Sequence, residues 1–328
     1  MHKRSGSRDP RDQRGQILVI FALALVAITA MVGLILDGGS AFAQRRAEQN
    51  AADLAALAAA NDLIVNQGGA DWKGTALEIA RLNGYENGED GTTVTVTCHN
   101  CPGQALDAAF DGVQVTVDIA GTHRNAFAGV VGMPTWEVGV TATSKTGWPD
   151  TASGPGPFVV SREAFDDSGF PSSCIDADNP CELTHADDDT PSAATEFTWT
   201  DFGYDKPCEE TGNVDDNALQ DYLDEQGDFS ITIDFGCYIA QHNLGVMNNI
   251  VARLQELAQI TFPVPIVDDA GGFLGFASFT VTSANAAGEN STISGYFESD
   301  FQEQRLDVSS PGFGTATFGG SYVLKLIN

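Results

Sequence analysis

Ile17 to Leu36, ILVIFALALVAITAMVGLIL, is a run of 20 residues without a charge. Coiled as a helix it spans roughly 30 Å, the hydrocarbon thickness of a bilayer. Lys3, Arg4, Arg8, Arg11 and Arg14 precede it, against only Asp9 and Asp12. Basic residues stay on the cytoplasmic side of a span, so residues 1–16 read as a cytoplasmic tail and everything after Leu36 as extracytoplasmic. Ala41-Phe42-Ala43 has the form of a signal-peptidase site. The apolar run is longer than the roughly 7–15 residues of a secretory h-region, which argues for a retained single-pass anchor in membrane lipid.

Working outward, Ser40 to Val65 continues as a helix. Its AADLAALAAA run has high helix propensity. Ala43, Ala47, Ala51, Leu54, Ala55, Leu57 and Ala58 form a small-residue stripe. Two readings fit equally: the stripe packs against partner subunits, or it covers the protein's own domain. Asn66-Gln67-Gly68-Gly69 ends the helix. Trp72 to Leu82 reads as an amphipathic helix and Asn125 to Val131 as a short one. Thr92–Thr97, Val113–Ile119 and Trp136–Ser144 alternate as strands with one buried face. Residues 37–146 therefore form a small α+β unit.

Gly147 to Pro157 (GWPDTASGPGP) reads as a linker. Residues 158–328 form a second, acidic, β-rich α+β unit. Its expected strands are Phe158–Val160, Phe229–Asp234, Ile260–Val267, Phe273–Ser283, Ser291–Glu298 and Ser321–Ile327. Its expected helices are Asp215–Glu225 and Asn243–Ala258. Pro171 to Ala194 reads as a polar loop, and Gly288-Glu289-Asn290 as a hairpin turn. The fold class is α+β behind an N-terminal transmembrane helix that an Ala-rich helix extends.

The net charge is -29. From Asp37 onward 11 Lys+Arg face 43 Asp+Glu. A body this acidic repels phosphate backbones, which excludes nucleic acid as a partner. The acidity also fits a salty medium, calcium binding or plain solubility. Asp176, Asp178 and Glu182, or Asp187 to Asp189, offer oxygen ligands for calcium, without an EF-hand pattern. Acid runs of this kind are more often solvated loops, and no cofactor is implied.

Six cysteines, Cys98, Cys101, Cys174, Cys181, Cys208 and Cys237, all follow the apolar run. An even count outside the cytoplasm points to disulfides. Fifteen pairings are possible for six cysteines; joining sequence neighbours gives Cys98–Cys101, Cys174–Cys181 and Cys208–Cys237. Cys98-His99-Asn100-Cys101 has redox or zinc spacing. It ends a strand and lacks a second ligand pair, so a structural disulfide is the expectation. No G-x-S-x-G, H-E-x-x-H or phosphate-cradling motif occurs. The expectation is a protein that is not an enzyme. A hydrolase would need Ser, His and Asp to converge in one pocket.

Arg14-Gly15-Gln16 before the span, Asp37-Gly38-Gly39 at its exit, and Gln49-Asn50-Ala51-Ala52-Asp53 before the Ala run together resemble the N-terminus of the TadE/TadG-like pilus-assembly family. The helix ending in Asn83-Gly84-Tyr85, the Phe127–Gly132 segment and the Val138–Ser144 strand are similar to it as well. Phe262–Asp268 and Gly275–Phe279 resemble a C-terminal unit of longer members. The resemblance implies a minor pseudopilin or envelope scaffold of a Flp pilus. It would sit in the bacterial cytoplasmic membrane, with other pilus-assembly proteins as partners. Gly15, Gln16, Asp37, Gly38, Gly39, Gln49, Asn50 and Asp53 would be its membrane and assembly residues. Two departures stand out. Prepilin-like members carry a Glu five residues after the processing Gly, where this chain has Ile20. The Asp-x-Ser-x-Ser metal motif of von Willebrand factor A domains is missing, since Asp307-Val308-Ser309-Ser310 has the wrong spacing. A surface adhesin or ligand-binding module unrelated to pili is the rival reading; neighbouring pilus ATPase genes would discriminate.

Overall fold

The structure, a computed structural model, describes residues 12–66, 70–164, 174, 177–186, 191, 195–200, 208, 219–220, 223–224, 230–239, 247–287, 291–298, 305–313 and 322–327. The fold is mixed α+β: a long apolar N-terminal helix, short helices, and many strands.

Helix α1 runs unbroken from Asp12 to Asn66, 55 residues. Gly38 and Gly39 lie inside it, although two helix-interior glycines cost about 1 kcal/mol each. The rest of its sequence is rich in Ala and Leu, which carry it through. Helix α2 is Trp72–Leu82, with Ala76 and Ala80 buried. Strands β1 (Thr93–His99), β2 (Val113–Arg124) and β3 (Thr135–Gly147) follow. A 3-10 turn, Ala128–Val131, sits between β2 and β3, where a short helix was expected from Asn125.

The chain divides into two compact units. The first comprises residues 1–55, 76–96 and 117–142. In it β2 alternates strictly, burying Val117 and Ile119 and exposing Thr122 and Arg124. The second comprises residues 56–75, 97–116 and 143–328. Strand β13 (Val323–Ile327) pairs antiparallel with β3 there, Val323 opposite Gly147 and Ile327 opposite Thr143. That pairing completes a sheet of order β1-β2-β3-β13.

The second unit is built on a closed six-stranded barrel of order β10-β11-β6-β7-β5-β9. Its strands are β5 (Phe158–Ser161), β6 (Cys181–His185), β7 (Glu196–Trp199), β9 (Thr261–Val267), β10 (Phe273–Asn285) and β11 (Thr292–Phe297). Two neighbouring pairs, β5 with β9 and β6 with β7, run parallel; the other described pairs are antiparallel. A barrel this narrow fills with side chains. A chain of ring contacts runs Trp199–Phe197–Phe158–Phe279–Phe297, at centroid distances of 4.9–6.0 Å. Gly295 is required because a Cβ there would strike Thr280 O and the Phe279 ring. Helix α3 (Asn248–Glu256) lies against β10, burying Ile250, Val251 and Leu254. A small sheet, β12-β4-β8, joins Leu306–Asp307, Thr151–Ser153 and Ser230–Thr232.

Three expectations need correction. The stretch 147–157, expected as a linker or domain boundary, is packed: Asp150 and Ala152 are fully buried and Thr151–Ser153 is β4. Asp150 accepts hydrogen bonds from the N–H groups of Ser309 and Ser310 at 2.7 Å, which rewards burying that stretch. Pro171–Ala194 is not all loop, since Cys181–His185 is a barrel strand. Its polar residues face outward and only Leu183 is fully buried, so hydrophobic pattern alone misses it. Of the helix expected at Asn243–Ala258, residues 243–246 lie outside the described residues; the described helix is Asn248–Glu256, and it stops short of Ala258. The Gly288-Glu289-Asn290 turn and most of Asp215–Glu225 lie outside the described residues, as do Asp176 and Asp187 to Asp189.

The cysteines pair as Cys98–Cys101, Cys174–Cys181 and Cys208–Cys237. The Cys98–Cys101 turn is locked further by Asn100. Its side-chain amide donates to the carbonyls of Asp107, Phe110 and Gly112, and its carbonyl oxygen accepts from the Asp107 N–H at 2.6 Å.

Candidate functional site at the helix exit

Within the first unit, one face of α1 carries a line of polar side chains at helical spacing: Asp37, Ser40, Gln44 and Glu48. All four meet partners on the hairpin formed by β2 and β3, or each other. Asp37 is almost fully buried, although Asp is unfavourable inside a helix. Its two oxygens accept the backbone N–H groups of Ala126 (2.8 Å), Phe127 (2.9 and 3.2 Å) and Ala128 (2.6 Å). These are the otherwise orphaned donors at the start of the 3-10 turn. The Ala128 N–H above all holds the Asp37 carboxyl below its ordinary range; burial opposes this, and the Ala126 and Phe127 bonds reinforce it.

His123, at the end of β2, lies beside the next turn. Its Nδ1 is 2.7 Å from Gln44 Oε1 and its Nε2 is 3.0 Å from Ser40 Oγ. An amide oxygen only accepts, so Nδ1 carries a proton and donates to Gln44. The Gln44 amide nitrogen then donates to Glu48 Oε1 at 2.8 Å. Glu48 is fully buried, and its other oxygen has no hydrogen-bond partner among the described residues. Desolvation pushes the Glu48 carboxyl up, partly offset by the Gln44 bond. Gly121 on β2 lies opposite, where a Cβ would come within 2.7 Å of Glu48 Oε1.

The resemblance-derived residues separate by face. Asp37 grips the hairpin, and Gln49 donates to Asp53 Oδ1 at 2.8 Å and to the Thr141 carbonyl of β3 at 3.2 Å. Gly38 and Gly39 have open space around them, and Asn50 is exposed. Gly15 and Gln16 lie within α1, with undescribed side chains. The small-residue stripe also divides: Ala51 and Ala55 are buried, whereas Ala43, Ala47 and Leu54 are exposed. The buried alanines cover the protein's own unit, and the exposed ones face away from it. Sequence inspection missed Ser40, Gln44, Glu48 and His123. The three- and four-residue spacing from Asp37 was the available signal.

The Ser40–His123 contact invites comparison with a nucleophile and its base. The ring's far nitrogen is oriented by an amide, where a triad has a carboxylate. Ser40 lies inside an unbroken helix, whose N–H groups are committed to the helical ladder and leave no oxyanion donors beside it. Its hydroxyl also lies 2.9 Å from the Asp37 carbonyl. A nearby open groove is lined by Phe42, Arg45, Trp136 and Glu137 and does not include Ser40 or His123.

The calcium candidates Asp178 and Glu182 are exposed. No group of three His, Cys, Asp or Glu side chains poised for a metal ion occurs among the described residues. The Asp307–Ser310 stretch is structural. Asp307 pairs with Lys145 at 2.6 Å and Lys325 at 2.7 Å, while Ser309 and Ser310 bind Asp150. Burial raises the Asp307 carboxyl, but the two lysines outweigh it and the net displacement is downward.

Residues 15–62 match the Tad family, described as Flp pilus-assembly TadE/G-like. The match contains the apolar run, Asp37 and the Gln49–Asp53 segment. No curated protein and no solved structure matches the chain.

Proposed function

We propose that this chain is a non-enzymatic, membrane-anchored component of Tad/Flp pilus assembly, a minor pseudopilin or envelope scaffold. The observation that carries the reading is the family match over residues 15–62. Ile17–Leu36 anchors the chain in the bacterial cytoplasmic membrane, with residues 1–16 inside and the disulfide-braced body outside. The helix is long and apolar enough to cross, and its apolar residues are exposed along that length. An exposed aliphatic surface of this length and composition suits lipid.

The two faces of α1 support an assembly role. One face is consumed by the protein's own hairpin. The other presents Gly39, Ala43, Ala47, Asn50 and Leu54, all exposed, at helical spacing. Small residues at that spacing let a second helix approach closely. Partners are other single-pass pilus-assembly proteins. Chemistry at Ser40 is disfavoured by the helical setting described above.

A photo-crosslinker at Ala47, with buried Ala52 as control, tests the reading in native membranes. The expected product is an adduct with another membrane-anchored pilus-assembly protein at position 47 and none at 52, together with loss of pili on deletion of the gene. Intact pili after deletion, or adducts at position 47 confined to proteins unconnected with pili, would overturn it.

A further inference from the structure

We infer that the tip of the β2–β3 hairpin, Asn125 to Pro134, is a second membrane contact that dips into the outer leaflet beside α1. The inference rests on the anchor reading above and adds a lipid-binding surface to it.

Four observations in the first unit converge. First, the tip is fixed at the depth of the span's last turn. Phe127 packs on Gly33, so closely that a Cβ on Gly33 would come within 2.6 Å of Phe127 Cβ. Gly33 is buried, whereas the large apolar residues along the span are exposed. Gly33 lies three residues inside Leu36, roughly 4.5 Å into the apolar segment.

Second, the tip shows apolar side chains to its surroundings. Phe127 is 43% exposed, Met133 52% and Val130 87%. Residues 125–136 carry no charge, while Arg124 and Glu137 bracket them. This exposed apolar surface continues that of the span.

Third, seven of the tip's backbone N–H groups have partners. A segment enters hydrocarbon only if its N–H groups have partners. Asp37 takes the N–H groups of Ala126, Phe127 and Ala128. Those of Asn125, Val130, Gly132 and Met133 go to carbonyls of the tip itself: Pro134, Phe127, Gly129 and Ala128. The buried carboxylate of Asp37 therefore does what water would do for a loop in solution.

Fourth, amphipathic groups stand where headgroups would lie. Trp136 is half-buried at the base of the tip, with Arg45 and Arg124 exposed nearby in the same unit. Tryptophan and arginine favour that interfacial zone. Insertion by 5–10 Å is the depth typical of interfacial elements.

The test uses the full chain in nanodiscs of pure phosphatidylcholine with brominated acyl chains, so lipid is the only quencher. An environment-sensitive fluorophore is attached under non-reducing conditions to Val130→Cys, to Ile28→Cys within the span, or to Leu82→Cys on exposed α2. The expected result is strong quenching and a blue-shifted emission at positions 28 and 130, and neither at 82. A second variant, Val130→Asp labelled at Met133→Cys, should lose most of the quenching at 133. Val130 is so exposed that this substitution leaves the fold intact. Quenching at 28 without quenching at 130 would overturn the inference and leave the anchor standing. No quenching at 28 would overturn both. Unchanged quenching at 133 in the Val130→Asp chain would also count against insertion.

Discussion

The hairpin grip of the first unit and the barrel of the second solve the same problem with opposite chemistry. The grip is directional: two carboxylates, one imidazole and two amides, each aimed at a particular donor or acceptor. The barrel relies on burial of rings, with Phe158, Phe197, Phe279 and Phe297 stacked edge to face and shut away from water. Ring burial is nearly indifferent to pH and tolerates small shifts in geometry. A carboxylate holding three N–H groups has fixed geometry and a charge that can be removed. The contrast teaches that the grip is held by groups that titrate and the barrel core by rings that do not.

The comparison breaks most visibly in the barrel. Phe279→Ala removes the ring shared by two edge-to-face contacts and should cost about 3–5 kcal/mol. Denaturant unfolding of the detergent-solubilised chain, followed by near-ultraviolet circular dichroism, would show it. A loss below about 1 kcal/mol would mean the rings are not the organising element. Next in size is the Cys208–Cys237 bridge, which closes a sequence separation of 29. Replacing both residues by Ser should lower stability by about 3.5 kcal/mol through loop-closure entropy. The Cys98–Cys101 bridge, with a separation of 3, should matter less.

The grip is sharpened by charge removal that keeps shape. In Asp37→Asn only one side-chain oxygen is left to accept. The amides of Ala126 to Ala128 should then exchange with solvent deuterium much faster, while barrel amides are unchanged. The sign with pH follows from the lowered carboxyl. Its stabilisation is fully present above the ordinary 3.8 and is lost as pH falls through the lower folded value. The smallest effect is at Glu48, whose carboxyl is raised from its ordinary 4.5. Its charged form strains the fold, so its contribution is best below 4.5 and worsens as pH rises through the folded value. Glu48→Gln should therefore gain about 1 kcal/mol at neutral pH and nothing near pH 4, read as pH-dependent melting. A variant that loses stability at pH 7 would show that Glu48 has an ionic partner.

Much of the architecture was legible because it is written in periodicity. The twenty-residue apolar run, the α2 amphipathic pattern and the alternation in β2 gave elements whose positions the structure shares. Joining sequence neighbours gave the same three cysteine pairs that the structure shows. What escaped is what periodicity cannot encode. The strand Cys181–His185 exists because β11 and β7 lend it backbone partners, not because its side chains alternate strongly. The burial of Asp150 depends on amides 159 and 160 residues away. The polar line Asp37–Ser40–Gln44–Glu48 acquires its meaning only from the hairpin packed against it. Asp37 was picked out by resemblance; that it captures three amides 89 to 91 residues downstream is a fact of three dimensions.

One feature has mechanical weight: α1 passes through Asp37-Gly38-Gly39 without a break. A helix of this kind acts as a rigid rod on a pivot. Residues 37–55 project roughly 28 Å beyond the apolar segment. Spans lean to match the thickness of the membrane they occupy, by about 20° on average. A lean of about 20° would sweep Ala55 sideways by roughly 10 Å. The thickness of the surrounding lipid thereby becomes a setting for where the first unit stands.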